Sequence, residues 1–268
     1  MGPDNDAVSN RQRRIRRAEE LADKFSFARE ILGFYVHIAR FQDDLEQTLV
    51  RMAGQQAAIG TELGADHLQV LLGGFSAFLR LCREQGPAGM ADVVTSIHER
   101  DTDFGAALLQ AVWMGSDADH AQGTLAKAFL QPYAELLQSK AKVDIRHYAL
   151  ALCPFCQRKP VAGVLRSVGE GAARSLFCSF CSQEWNFRRI VCAGCGEENP
   201  QKLPVYEATE FTQVRVECCD TCKTYLKTID LSKDGHADVI VDEIASMPLD
   251  LWARQRGYAK LQNNLLGM

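Results

Sequence analysis

The sequence predicts an α+β protein: an N-terminal all-α helical domain, two small metal-binding modules after it, and a C-terminal helix. Three observations carry that expectation. Apolar residues recur every three or four positions from about residue 12 to residue 147. Four Cys-x-x-Cys pairs lie among short strand-like runs between Cys153 and Cys222. The chain then returns to a helical pattern, with Asp242 as its expected cap and Leu249, Leu251 and Trp252 ahead of Gly257. The expected divisions are residues 1–147, 148–190, 191–235 and 236–268.

In the helical half the clearest stripe is Phe27, Ile31, Phe34, Ile38, Phe41, Leu45 and Leu49, which places one continuous apolar face on a core-facing helix. Ser26 or a nearby residue is its expected cap and Gly54 its expected stop. A second helix carries Leu68, Leu71, Leu72, Phe75, Leu79 and Cys82, and Gly86-Pro87 ends it. Further helices are expected from Gly89 to Arg100, Phe104 to Met114 and His120 to about Lys142. The last should be interrupted or restarted at Pro132, which has no backbone N–H to donate. Ahead of all these, Arg11, Arg13, Arg14, Arg16 and Arg17 are followed by Glu19, Glu20, Asp23 and Lys24 where an export signal would be apolar. A solvated helix start is expected.

With 268 residues, 47% of them hydrophobic, the chain can bury one large core or two ordinary ones. Net charge is −4; residues 1–150 hold 16 Lys and Arg against 20 Asp and Glu, and residues 151–268 hold 14 of each. A neutral cysteine-rich half lacks the basic surface that supplies most nonspecific affinity for nucleic acid, so no nucleic-acid partner is expected. Arg158, Lys159, Arg188 and Arg189 with Phe187 read instead as a solvated face. No apolar run approaches the ~18 residues of a membrane span, which predicts a cytoplasmic chain without membrane insertion. No phosphate-cradling glycine loop, no paired catalytic carboxylates and no ligand spacing among the histidines is present, so an enzyme is not expected.

The chemistry concentrates in the cysteines. The pairs are Cys153 and Cys156, Cys178 and Cys181, Cys192 and Cys195, and Cys219 and Cys222. Two intervening residues let one tight turn aim both sulfurs at a single ion. Long spacers separate the first pair from the second and the third from the fourth, and each holds strand-like runs: Val161 to Val168 and Ser175 to Cys178, then Val205 to Thr209 and Phe211 to Glu217. With Tyr225 to Leu231 following, each spacer can make a hairpin that closes a four-thiolate site. Soft thiolates in tetrahedral array suit zinc or a single iron. Only the third pair is followed by glycine, Gly196, while Gln157, Ser182 and Lys223 follow the others. Cys218 is left over and reads as an ordinary strand cysteine.

Taken in order, CPFCQRKP, LFCSFCSQEWNFRRIVCAGCG, VRVECCDTCKTYLK and MPLDLWARQRGY resemble the formate dehydrogenase accessory protein family FdhE, from about Ala151 to Tyr258. The Glu184-Trp185 pair after the second knuckle and the run from Lys223 to Lys227 after the fourth set this pattern apart from generic zinc ribbons. The resemblance implies two rubredoxin-like modules after a helical domain, with iron as the favoured metal and zinc as the alternative. It further implies a cytoplasmic maturation role in contact with the formate dehydrogenase catalytic subunit. The competing readings are a rubredoxin-like electron carrier or redox sensor, and a zinc-ribbon nucleic-acid binder. Homo-oligomer formation stays open.

Overall fold

Among the described residues, amphipathic periodicity becomes six helices in the first half of the chain: α1 (Asn10–Lys24), α2 (Arg29–Ala53), α3 (Ala65–Gln85), α4 (Met90–His98), α5 (Phe104–Trp113) and α6 (Ala121–Lys140). The structure, a computed structural model, describes residues 9–53, 65–99, 103–116, 121–141, 143–169 and 171–268. Gly54, Arg100, His120 and Lys142, named above as helix limits, lie outside the described residues. Helices α2, α3 and α6 converge on Phe129, whose ring lies 5.1 Å from Phe75, 5.6 Å from Phe78 and 6.3 Å from Phe41. Such tilted aromatic packing adds to the gain from burial alone.

Three expectations for this half are corrected. Phe27 does not face the core, because Ser26–Ala28 form a 3-10 turn and the α-helical phase begins at Arg29. Its ring is half exposed and rests on Phe25 and Phe211. Pro132 does not interrupt α6, which runs through it. The carbonyl of Ala128, four residues earlier, loses its usual donor, and buried Gln42 replaces that donor with its Nε2 at 2.6 Å. The helix therefore survives its proline. Finally, the arginine run is not solvated throughout: Arg11, Arg14 and Arg17, three apart on one face of α1, are all buried.

These guanidiniums meet carboxylates that come from far along the chain. Arg11 and Arg14 donate to Glu135 on α6, at 2.5 and 2.9 Å, and Arg17 donates to Asp242 at 2.7 and 3.0 Å and to Asp234 at 2.7 Å. Burial alone would raise the Glu135 pKa, but the two arginines outweigh it and hold the group at about 2.

The second half builds a sheet from β1 (Pro160–Val168), β2 (Gly171–Cys178), β3 (Glu184–Asn186), β4 (Val205–Glu207), β5 (Val214–Cys219), β6 (Thr224–Asp230) and β7 (Ala259–Lys260). Strand β5 begins later than the expected Phe211, because Thr209–Phe211 form a 3-10 turn. The spatial order is β3-β2-β1-β6-β5-β4, with β7 paired to β6. The first long spacer supplies the hairpin of β1 with β2 and the second the hairpin of β4 with β5; β6, which follows the fourth knuckle, pairs antiparallel with β5 and joins the two units through parallel pairing with β1. At that seam Gly163 faces Thr228, whose side chain occupies the space any Cβ at position 163 would need.

Helices α7 (Val239–Ala245) and α8 (Met247–Gln255) follow. The expected cap Asp242 lies inside α7; Asp238 is the cap, accepting from the backbone N–H groups of Ile240 and Val241 at 3.0 and 3.1 Å. Asp242 accepts the Asp238 N–H in return at 2.8 Å while pairing with Arg17. One buried cluster runs from Ala18 through both halves to Leu265, so helices and sheet share a core. No helix among the described residues is long and apolar enough to cross a membrane.

Candidate metal centres

All eight knuckle cysteines come together in two groups of four. Cys153, Cys156, Cys178 and Cys181 form one, and Cys192, Cys195, Cys219 and Cys222 the other, with the sulfurs of each group within 4.8 Å of one another. The near contacts are 3.3 and 3.6 Å in the first group and 3.7 Å in the second. A metal–sulfur bond of about 2.3 Å gives a tetrahedron with edges of about 3.8 Å, whereas a disulfide would draw two sulfurs to about 2.05 Å. Each group thus has the size of a four-thiolate ion site. The pairing follows the spacers, first knuckle with second and third with fourth.

The local chain explains the convergence. The residue after each second cysteine is left-handed: Gln157 at φ 59°, Ser182 at 57°, Gly196 at 79° and Lys223 at 55°. Among the described residues these three are the only non-glycines with positive φ, so every knuckle imposes the same turn whatever residue fills it. The turn folds the chain back so that the backbone N–H groups of Gln157, Gly196 and Lys223 each reach the carbonyl of the first cysteine of the pair, at 2.9 to 3.0 Å. Sulfur also receives donors directly: Phe180 N–H lies 3.4 Å from Cys178 Sγ, Gly194 N–H 3.2 Å from Cys192 Sγ, and Thr224 Oγ1 3.0 Å from Cys222 Sγ. Donors to sulfur favour thiolate, the form that binds metal.

The surroundings of the two groups differ. The first is packed against the helices: Arg158 lies 3.7 Å above the Phe180 ring and donates to the final carbonyls of α5, at Val112 and Trp113, and Trp113 meets Phe180 edge-on at 5.7 Å. Arg158 therefore serves the interior and belongs to no solvated face. Arg188 is exposed and paired with Glu198 at 2.5 Å. Ser182, directly after the second knuckle, donates to Glu135 and so ties the first group to the arginines of α1. Cys218 is buried on β5 and joins neither group.

The family-like residues hold this frame together. Trp185 Nε1 donates to the Leu150 carbonyl at 3.0 Å, pinning the segment that enters the first knuckle, while Glu184 takes both arms of Arg166. Tyr225 and Lys227 reach Asp250 on α8 at 2.8 and 2.7 Å. Lys227 is fully buried with Glu243 at 3.0 Å, and Lys260 caps the same two carboxylates. Burial favours the neutral amine of Lys227 and would raise Glu243, yet Lys227 and Lys260 keep Glu243 at about 2. Sequence reading missed this balanced cluster and the arginine ties, since neither set of partners is close in the chain.

A domain model described as the FdhE central domain matches residues 152–189, and one described as the FdhE C-terminal domain matches residues 190–266. A Protein FdhE homolog of Aquifex aeolicus strain VF5 is 26% identical over 265 residues, 94% of each chain. Protein FdhE of Escherichia coli strain K12 / DH10B is 33% identical over 135 residues, 49% of this chain and 42% of that one. The crystal structure of the FdhE protein from Pseudomonas aeruginosa matches with a TM-score of 0.70 and 25% identity over 97% of both chains.

Proposed function

Because the chain belongs to the FdhE family, we propose that it is an accessory protein for formate dehydrogenase that binds the immature catalytic subunit in the cytoplasm. The observation that carries this reading is the coincidence of two things: the residues matched by the family models are those that gather eight sulfurs into two groups of four. Cys153, Cys156, Cys178 and Cys181 hold one ion, and Cys192, Cys195, Cys219 and Cys222 hold the other. Iron is the favoured metal, with zinc as the alternative. The sulfur spacing fits both.

When bound, the ions supply cross-links that fix the fold of both hairpins, and iron adds a one-electron couple. Four thiolates close the shell and leave no position for a substrate water, so the protein acts by binding rather than by hydrolysis at the metal. Its own residues do the rest. The left-handed knuckle turns aim the sulfurs, and buried Trp185, Tyr225 and Lys227 fix the frame that carries them.

Metal analysis and the visible spectrum of anaerobically purified protein identify the ion: two irons per chain with thiolate-to-iron bands support the iron reading, and two zincs select the alternative. Co-purification with the formate dehydrogenase catalytic subunit, lost on Cys192→Ala or Cys195→Ala, supports the accessory role. Undiminished formate dehydrogenase activity in cells lacking this chain would end it.

A further inference from the structure

Two arginines of α1, Arg13 and Arg16, face away from the buried network. Arg13 and Arg16 are exposed and line a cleft of about 620 Å³ between α1, β1 and the loop that joins β6 to α7. Among the described residues Arg13 donates only to Asn10 one turn earlier, and Arg16 has no ion pair. The carboxylates at the cleft are already engaged: Glu184 with Arg166, Glu20 with Arg17, and Asp238 with the start of α7. Two cations are left facing open space in the half of the chain where acidic residues outnumber basic ones, 20 to 16.

We propose that this cleft is the docking groove for an extended, carboxylate-rich peptide segment of the client protein, paired to Arg13 and Arg16. The inference rests on the accessory role proposed above and names its surface. Residues three apart on a helix lie about 5–6 Å from one another. Alternate residues of an extended strand, which point to the same side, repeat at about 6.6 Å. Two acidic side chains separated by one residue therefore match the two guanidiniums. The buried Phe177 and Val239 give the groove an apolar floor for the peptide's aliphatic parts. The volume far exceeds that of an inorganic anion, and a chain with net charge −4 offers no wider field for nucleic acid.

The test uses the metal-loaded full chain. A fluorescein-labelled alternating Glu–Ala octapeptide should bind with salt-dependent anisotropy, and the Arg13→Glu/Arg16→Glu double variant should bind it about tenfold more weakly or worse. Arg29→Glu, at an exposed arginine outside the cleft, should bind as the parent does. Both positions are exposed, so thermal melting should not change. Equal binding by parent and double variant, equal binding of a Lys–Ala octapeptide, or displacement by inorganic phosphate at the peptide's own concentration would each overturn the proposal. Capture of the catalytic subunit separates the two levels. If the parent captures none, the accessory role fails; if parent and double variant capture equally, the groove alone is wrong.

Discussion

The two cysteine groups share their ligands, their spacing and their turn geometry, and they differ in what surrounds them. In the first, Cys153, Cys178 and Cys181 are buried, and α5, α6 and Arg158 close over them. In the second only Cys219 is buried, while Cys195 is exposed. The same local chemistry thus yields one centre sealed into the common core and one at the surface. The sealed centre should govern folding, and the open one should be within reach of partners, chelators and oxidants.

The largest expected effect tests that contrast directly. Cys178→Ser should lower stability by more than about 5 kcal/mol, because ligand loss there also opens the shared core, while Cys195→Ser should cost less than half as much. Urea unfolding followed by circular dichroism measures both, and equal losses would abolish the distinction. A chelator such as EDTA should likewise strip one metal per chain well before the other.

Next in size is the tie between the sealed centre and α1. Glu135→Gln leaves Arg11 and Arg14 buried without their carboxylate and should cost about 3 kcal/mol near neutral pH. The folded pKa of Glu135, about 2, lies below its ordinary 4.5. Its contribution is therefore complete above 4.5 and disappears as pH falls through about 2. The stability gap between parent and variant should narrow over that window, with metal loss common to both; a gap constant with pH would assign the stabilisation elsewhere.

Arg158→Ala removes a guanidinium stacked on Phe180 and two bonds to the end of α5, at a cost of about 2 kcal/mol in thermal unfolding. The smallest effect concerns the turns. Gln157 is exposed and left-handed, so Gln157→Gly should leave stability unchanged or raise it by up to about 1 kcal/mol, whereas Gly196→Ala should lower it by about as much. Opposite signs at matching positions would show that one turn serves both centres.

Much of this was legible in the chain. The helices α2 and α3, the Gly86-Pro87 stop, five of the strands and the pairing of knuckles all follow from periodicity and spacing, which are local properties. The misreadings share one cause. Arg11, Arg14 and Arg17 look like surface residues because their partners Glu135, Asp234 and Asp242 lie more than a hundred positions away. Pro132 looks like a break because its rescuer, Gln42, comes from another helix.

The sequence by itself determined the two four-sulfur groups, since a two-residue gap and a hairpin-length spacer restrict where each thiol can go. Which group is sealed and which is open was decided only when the hairpins joined along Gly163 and Thr228 and the helices packed over one of them. Burial belongs to the assembled surface that excludes water, and no single segment carries it.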